Sequence, residues 1–84
     1  MAYVYFLRSL KYSDWIYVGS TDNLRQRLKS HNQGNVKSTK SRLPYEVIYK
    51  EEYANISGAR RREKEIKSSR SKKVNVLKKI GPIV

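Results

Sequence analysis

The sequence predicts an α+β fold, a small three-stranded and mainly antiparallel sheet flanked by helices, in the order β-β-α-β-α-α. Two aromatic and β-branched runs at 3–9 and 15–19 are separated by a short polar loop, which is typical of a hairpin. Two later stretches follow N-cap residues and have helical periodicity. The connections are too short for a parallel sheet built on crossovers. The 84 residues are expected to form a single domain, 1–84.

Each element follows from local sequence signals. The two hairpin strands are apolar on both faces, which predicts a sheet that is covered on both sides. If the hairpin loop centres on Lys11, Tyr5 lies opposite Tyr17 and both phenols share one face. The remaining elements are a helix over 24–31 after the N-cap cluster 20–23, a mobile polar loop over 32–43, a strand over 45–51 behind Pro44, a helix capped by Asn55 or Ser57 that runs to about Ser69, and a short basic helix over 71–79.

The charge balance favours a polyanionic partner. Nineteen Lys and Arg residues against seven Asp and Glu residues give a net charge of +12. Nucleic acid is the first candidate because each phosphate contact releases counterions. An anionic membrane surface is the second, and a solvated basic surface of the kind found on ribosome-associated proteins is the third.

Composition excludes several other classes of protein. The chain has no cysteine, which rules out disulfides and thiolate zinc sites and fits a reducing cytoplasm. No apolar run approaches the about 18 residues that a membrane helix needs. The N-terminus lacks the pattern of a signal peptide. We therefore expect a cytoplasmic protein that does not associate with membranes.

Glu63 breaks the apolar pattern of the second predicted helix. On a helical wheel it falls on the same side as Ile56, Ala59 and Ile66, which form the buried stripe. A carboxylate in such a position is costly unless a cation or several hydrogen bonds meet it. Two explanations stay open, namely a structural pair with an arginine and a cavity in which Glu63 holds a metal ion.

Four other side chains have both a structural and a functional interpretation. Arg27 and His31 are i, i+4 neighbours at the edge of the apolar face of the first helix. Taken alone, His31 is an ordinary partly buried residue and Arg27 an ordinary salt-bridge residue. Tyr5 and Tyr17, taken alone, are a cross-strand aromatic pair.

Together these residues resemble the GIY-YIG nuclease family, and most closely its small stand-alone bacterial members. Tyr3-Val4-Tyr5 and Tyr17-Val18-Gly19 stand where the family has its two tripeptides. Tyr3 replaces the first glycine and Val18 an isoleucine, but the phenols are kept. The run 19–31 is similar to the next family motif, with Arg27 at its characteristic arginine. The run 59–67 resembles the later motif, whose glutamate binds the metal.

The resemblance implies a metal-dependent endonuclease, a hydrolase that cuts phosphodiester bonds and leaves 5′-phosphate and 3′-hydroxyl ends. Glu63 would hold one Mg²⁺ or Mn²⁺ ion. Arg27 would bind the phosphate, and Tyr17 or Tyr5, with His31 nearby, would contact the attacking water. A neighbouring Arg27 and a metal ion are expected to favour the phenolate. The implied catalytic residues are Tyr5, Tyr17, Arg27, His31 and Glu63, with Gly19 and Asn75 as secondary candidates.

Basic side chains outside this set are expected to position the strand through phosphate contacts. Ten of the nineteen basic residues fall within 60–79. The expected partner is nucleic acid, DNA before RNA, and no obligate protein partner is predicted. The alternative is a non-catalytic basic DNA- or RNA-binding module of the same fold. The predicted phosphate contacts are Lys37, Lys40, Arg42, Arg60, Arg61, Arg70, Lys72 and Lys73.

Overall fold

A computed structural model describes residues 1–80 of the chain. Three antiparallel strands form one sheet in the order β2-β1-β3, and the element order agrees with the prediction. The elements in chain order are strands β1 (Ala2–Ser9) and β2 (Ile16–Thr21), helix α1 (Leu24–Asn32), a 3₁₀ turn (Lys40–Arg42), strand β3 (Tyr45–Tyr53), and helices α2 (Ile56–Ser68) and α3 (Arg70–Ile80).

Both faces of the sheet are covered, as the two-sided apolar strands predict. On one face, Val4 and Phe6 of β1 pack with Ala59 and Ile66 of α2 and with Val76 of α3. The other face carries a second cluster under α1 and the following segment. Its members are Tyr5, Leu7 and Tyr45, with Trp15, Tyr17, Leu24, Leu28, Leu43 and Val47 packed against them.

The register of the β1–β2 hairpin differs from the prediction by two residues. Tyr5 pairs with Gly19, and Tyr17 pairs with Leu7. The reason is the turn: the Trp15 N–H donates to the Tyr12 carbonyl over 2.9 Å, so the loop centres one residue later than expected. A shift by two keeps the side-chain alternation. Tyr5 and Tyr17 therefore still share one face, with ring centroids 6.3 Å apart.

Asparagines begin the two helices that carry the candidate site. The Asn23 side chain accepts from the Gln26 N–H and starts α1, and the Asn55 side chain accepts from the Gly58 N–H and starts α2. These caps satisfy backbone donors that have no partner within the helix. Of the two predicted caps for α2, Asn55 is the one used.

The segment between α1 and β3 is fastened at several points, contrary to the mobile loop expected there. Thr39 is fully buried, and its carbonyl accepts from the Tyr45 hydroxyl over 2.9 Å. The Asn32 side chain holds both the N–H and the carbonyl of Tyr45. No helix within residues 1–80 is long and apolar enough to cross a membrane.

Candidate active site

A fully buried chain of hydrogen bonds lies beneath the sheet face that carries α1. Tyr5 of β1, His31 of α1 and Thr39 all have 0% exposure. The Tyr5 hydroxyl oxygen lies 3.0 Å from His31 Nε2, and His31 Nδ1 lies 2.8 Å from Thr39 Oγ1. These hydrogen bonds thus join β1, α1 and the segment before β3 at one point.

One assignment of the protons satisfies every hydrogen bond around His31. In it, the Thr39 hydroxyl donates to the Val36 carbonyl over 3.3 Å. Thr39 Oγ1 then accepts from His31 Nδ1–H, which leaves Nε2 without a proton. The Tyr5 hydroxyl donates to that nitrogen.

Burial keeps both members of this pair neutral. Burial lowers the pKa of His31 to about 4, helped by the nearby charge of Arg27. Burial also raises the pKa of Tyr5 to about 12, although Arg27 alone would lower it. For Tyr5, the cost of desolvation is larger than the effect of the guanidinium, so Arg27 alone does not bring the pKa of this phenol below its ordinary value. Tyr5 also has no solvent exposure through which it could contact a water.

Gly19 lets the Tyr5 ring occupy its place. The two residues pair across the β1–β2 ladder. A Cβ atom at position 19 would lie 2.6 Å from the Tyr5 hydroxyl oxygen and 2.9 Å from Tyr17 Cε2. No side chain larger than hydrogen fits there unless Tyr5 moves.

Tyr17 is the phenol that reaches the surface. It lies on β2, one of the two edge strands, and is partly exposed. Its ring centroid is 5.0 Å from that of His31 and 6.3 Å from that of Tyr5. Of the two sequence-predicted tyrosines, Tyr17 is thus the one placed to meet water or a phosphate.

Arg27 has no carboxylate partner in the described structure. Its pKa is raised, above all by hydrogen bonding to the Tyr5 hydroxyl, with Tyr17 adding to the effect. No ion pair within residues 1–80 involves it, and its Nε is buried without a hydrogen-bond partner there. An unpaired guanidinium with a free donor beside two phenols is suited to an anion, and its planar fork matches phosphate oxygens.

Glu63 approaches the same sheet edge from α2. Its side chain is 22% exposed, so it lies at the margin of the buried stripe formed by Ala59 and Ile66. The Ser20 hydroxyl of β2 donates to Oε1, and the Lys67 ammonium lies 2.6 Å from Oε2. Glu63 is close enough to contribute to the raised pKa of Tyr5, after burial and Tyr17. Of the two explanations left open by the sequence, the structural pair with an arginine is absent among residues 1–80, and Lys67 lies at that carboxylate instead.

The donors around Glu63 suit a largely hydrated hard cation. No group of three or more His, Cys, Asp or Glu side chains capable of holding a metal occurs within the described residues. A single carboxylate suits Mg²⁺, which takes oxygen ligands and keeps several waters, and Mg²⁺ would compete with Lys67 for Oε2. The same donors do not make a zinc site.

Lys67 connects Glu63 with Tyr17. Its ammonium lies 5.4 Å from the centroid of the Tyr17 ring. Lys67, Arg70 and Lys73 also line a groove of about 400 Å³ along β2, together with Tyr17. The edge of β2 is therefore the line at which the aromatic face and the basic helices meet.

The predicted phosphate-contact residues fall into different surroundings. Arg70 and Lys73 line the groove beside Tyr17, and Arg60 lines a recess with Glu63. Arg42 lies over the Trp15 ring. Lys72 instead pairs with Glu65 over 3.1 Å. Lys37, Lys40 and Arg61 are exposed.

Asn75 is not brought to the site by any contact in the structure. It is exposed on α3 next to the buried Val76, and it takes part in none of the side-chain hydrogen bonds found for residues 1–80. Ser20 and Thr39, in contrast, bond directly to the candidate residues and were missed. Ser20 gives a weak signal, since it follows Val18 on an otherwise apolar strand face; Thr39 gives none.

Comparison with known proteins places the chain in a family. The GIY-YIG catalytic domain matches residues 1–75, a range that contains Tyr5, Tyr17, Arg27, His31 and Glu63. The chain belongs to the GIY-YIG family. The resemblance carried by the two tripeptides and the later glutamate motif is thereby confirmed. Members of the GIY-YIG family are generally nucleases, and membership implies interaction with nucleic acid.

The relatives of this GIY-YIG chain are small proteins of similar length. A UPF0213 protein of Staphylococcus haemolyticus is 39% identical over 77 residues, which cover 89% of this chain and 92% of the relative. One from Clostridium perfringens is 38% identical over 79 residues, 92% of this chain and 83% of the relative. The solution NMR structure of a UPF0213 protein from Bacillus halodurans shows the same fold, with a TM-score of 0.58, 31% identity, and coverage of 98% of this chain and 89% of that one.

Proposed function

We propose that this GIY-YIG chain is a divalent-metal-dependent endonuclease that hydrolyses phosphodiester bonds in nucleic acid, DNA before RNA. The observation that carries the proposal is the unpaired guanidinium of Arg27. It has a buried free donor and lies against Tyr5 and Tyr17. Because no carboxylate within residues 1–80 neutralises this guanidinium, its charge is available to a phosphate.

Arg27 and Tyr17 are the residues we assign to the phosphate and the attacking water. The guanidinium keeps its charge throughout and can hold two phosphate oxygens. Tyr17 is partly exposed beside it. Arg27 lies beside the Tyr17 phenol, and the Lys67 ammonium lies 5.4 Å from the centroid of its ring.

Tyr5 and His31 act in this proposal as positioning residues. Both are fully buried, so neither touches a substrate directly. With the pKa of Tyr5 raised to about 12 and that of His31 lowered to about 4, a proton on Tyr5 stays there. The hydrogen bond between Tyr5 and His31 fixes the Tyr5 phenol, against which Arg27 lies. Precise positioning of a catalytic group in this way contributes strongly to catalysis.

Glu63 is the residue that would hold the metal ion. A bound Mg²⁺ or Mn²⁺ would supply Lewis-acid stabilisation of charge on the phosphate and the leaving oxygen. Ser20 orients the carboxylate through its hydroxyl. Lys67 supplies a second positive charge at the same edge.

The test compares two glutamates of the same helix. Glu63→Gln should lower Mg²⁺-dependent cleavage by on the order of 100-fold or more, and chelation of the metal should have the same effect. Glu65→Gln is the matched control, because Glu65 pairs with Arg62 and Lys72 rather than with the β2 edge. Its activity should be close to that of the unmodified protein. The products should carry 5′-phosphate and 3′-hydroxyl ends, and 3′-phosphate ends would contradict the proposal.

A non-catalytic binding module of the same fold is the competing function. The occupation of both Glu63 oxygens by Ser20 and Lys67 is the observation in its favour. If the protein is such a binding module, the unmodified protein and Glu63→Gln bind nucleic acid equally and neither cuts it with Mg²⁺ or Mn²⁺. Single-stranded, duplex and branched DNA and RNA should all be tried.

A further inference from the structure

A recess beside Tyr17 is lined by two aromatic rings that the proposed chemistry does not use. It has a volume of about 470 Å³, and its walls come from the hairpin loop and the 3₁₀ turn. Tyr12 is 47% exposed in it, and Trp15 is partly exposed. The recess is lined by Tyr12, Asp14, Trp15, Ser41 and Arg42.

One buried hydroxyl holds the walls of this recess together. Ser9 has 0% exposure, and its Oγ accepts from the backbone N–H groups of Lys11 and Tyr12. The same hydroxyl donates to the carbonyl of Arg42 over 2.6 Å. Because the hairpin loop and the 3₁₀ turn are both fixed to Ser9, the recess is built into the fold in advance of any ligand.

The aromatic rings are arranged as a stack that leads to Tyr17. The Arg42 guanidinium lies 4.8 Å from the centroid of the Trp15 ring. The Trp15 ring is nearly parallel to that of Tyr17, at 18° and with centroids 6.4 Å apart. A flat ligand stacked on Trp15 would therefore lie next to the ring that neighbours Tyr17, the phenol that we assign to the attacking water.

We propose that this recess is a stacking site for one unpaired nucleobase, from the nucleotide that flanks the phosphate held at Arg27. The position of that phosphate rests on the function proposed above. Aromatic rings and guanidinium planes stack well on bases. Asp14 disfavours a phosphate in the recess, whereas its carboxylate and the Ser41 hydroxyl suit the polar edge of a base. A base inside a duplex has both faces covered, so only a base outside its stack can enter.

The chain allows a direct test because Trp15 is its only tryptophan. Tryptophan fluorescence is followed while a short single-stranded oligodeoxynucleotide is added in the presence of EDTA, so that no cleavage occurs. The comparison ligand is a strand of equal length in which the bases are replaced by abasic sites. We expect strong quenching by the strand with bases and little by the abasic strand, although both carry the same charge. Equal quenching by the two strands would overturn the proposal.

Variants separate stacking from charge. Trp15→Ala should weaken binding of the strand with bases by on the order of tenfold and leave binding of the abasic strand unchanged, with Trp15→Phe restoring most of the loss. Tyr3→Ala is the matched control, since Tyr3 also has a cation over its ring, Lys50 at 5.4 Å, but lies at the opposite end of the sheet. If Trp15→Ala weakens both strands equally, or neither, the site is not a base-stacking site.

These results are independent of the outcome of the cleavage test. Discrimination between the two strands without any metal-dependent cleavage would support the stacking site and reject the nuclease. Cleavage without discrimination would support the nuclease and reject the stacking site. Thermal unfolding of each variant, followed by circular dichroism, checks that the fold is intact. The quenching comparison on the unmodified protein needs no variant.

Discussion

His31 is the residue at which protonation most directly opposes the folded state. Its imidazole is fully buried between the Tyr5 hydroxyl and Thr39 Oγ1. Burial disfavours the charged imidazole, and its charge would also lie near Arg27. These are the reasons that its pKa falls to about 4, from an ordinary value of about 6.5.

We therefore predict that the free energy of unfolding falls in acid because of His31. Between pH of about 6.5 and 4 the unfolded chain binds a proton that the folded chain rejects, so the stability present near pH 7 is lost as the pH falls. The shift corresponds to about 3 kcal/mol in the free energy of unfolding. Urea unfolding at several pH values should show this loss. His31→Gln should show a smaller one, and equal slopes for the two proteins would contradict the prediction.

Sequence reasoning found the residues of the candidate site but not the contacts that hold them. Arg27 and His31 stand four residues apart on one helix, and such local spacing survives any tertiary arrangement. The partner of His31 is Thr39, whose hydrogen bond depends on how a polar segment folds back. The solvent exposure of Tyr5 and Tyr17 depends likewise on Gly19, which lies across the strand pair from Tyr5.

At the scale of elements, prediction succeeded where the signal was local and failed where two segments had to meet. The strands and helices were recognised from apolar pattern and from caps such as Asn23 and Asn55. The hairpin register was wrong because it depends on the turn between Tyr12 and Trp15. The sequence predicts a mobile loop before β3 because the contacts that anchor this segment, such as those of Asn32 with Tyr45, join residues that are distant in sequence.

The docking of α2 on β3 depends on one acidic residue. Glu51 of β3 accepts from the Tyr49 and Tyr53 hydroxyls over 2.7 and 2.8 Å and pairs with Arg62 of α2 over 3.0 Å. Burial alone would raise the pKa of Glu51, but these hydrogen bonds, led by that of Arg62, lower it. The carboxylate is thus charged and fully used in the fold.

We predict that Glu51→Gln destabilises the protein by about 2 kcal/mol, the range for hydrogen bonds to a charged group. Glu46→Gln is the control on the same strand. Glu46 pairs with Arg8 at a more exposed position, 39% for its side chain, so its loss should cost less than about 1 kcal/mol. Urea unfolding near pH 7 measures both. Equal losses would show that the α2–β3 contact has no special dependence on Glu51.

At the scale of the whole molecule, the basic residues behind the net charge of +12 are concentrated in the two C-terminal helices. Helices α2 and α3 carry ten of the nineteen basic residues within 60–79. Some of these charges are compensated, as Arg62 and Lys72 are by Glu65. Two of them, Arg70 and Lys73, line the groove beside Tyr17, next to the candidate site. Neither makes an ion pair within residues 1–80.

Binding of nucleic acid should therefore weaken steeply as the salt concentration rises. Particular basic residues should account for this salt dependence. Removing two phosphate contacts with Arg70→Gln and Lys73→Gln should lower the slope of log K against log salt by roughly 1.5. Lys78→Gln with Lys79→Gln removes the same charge from the same helix at exposed positions outside the groove. Fluorescence anisotropy across a salt series in EDTA measures both slopes. If both double variants lower the slope equally, the charge acts as a diffuse field, and the groove beside Tyr17 is not the path of the strand.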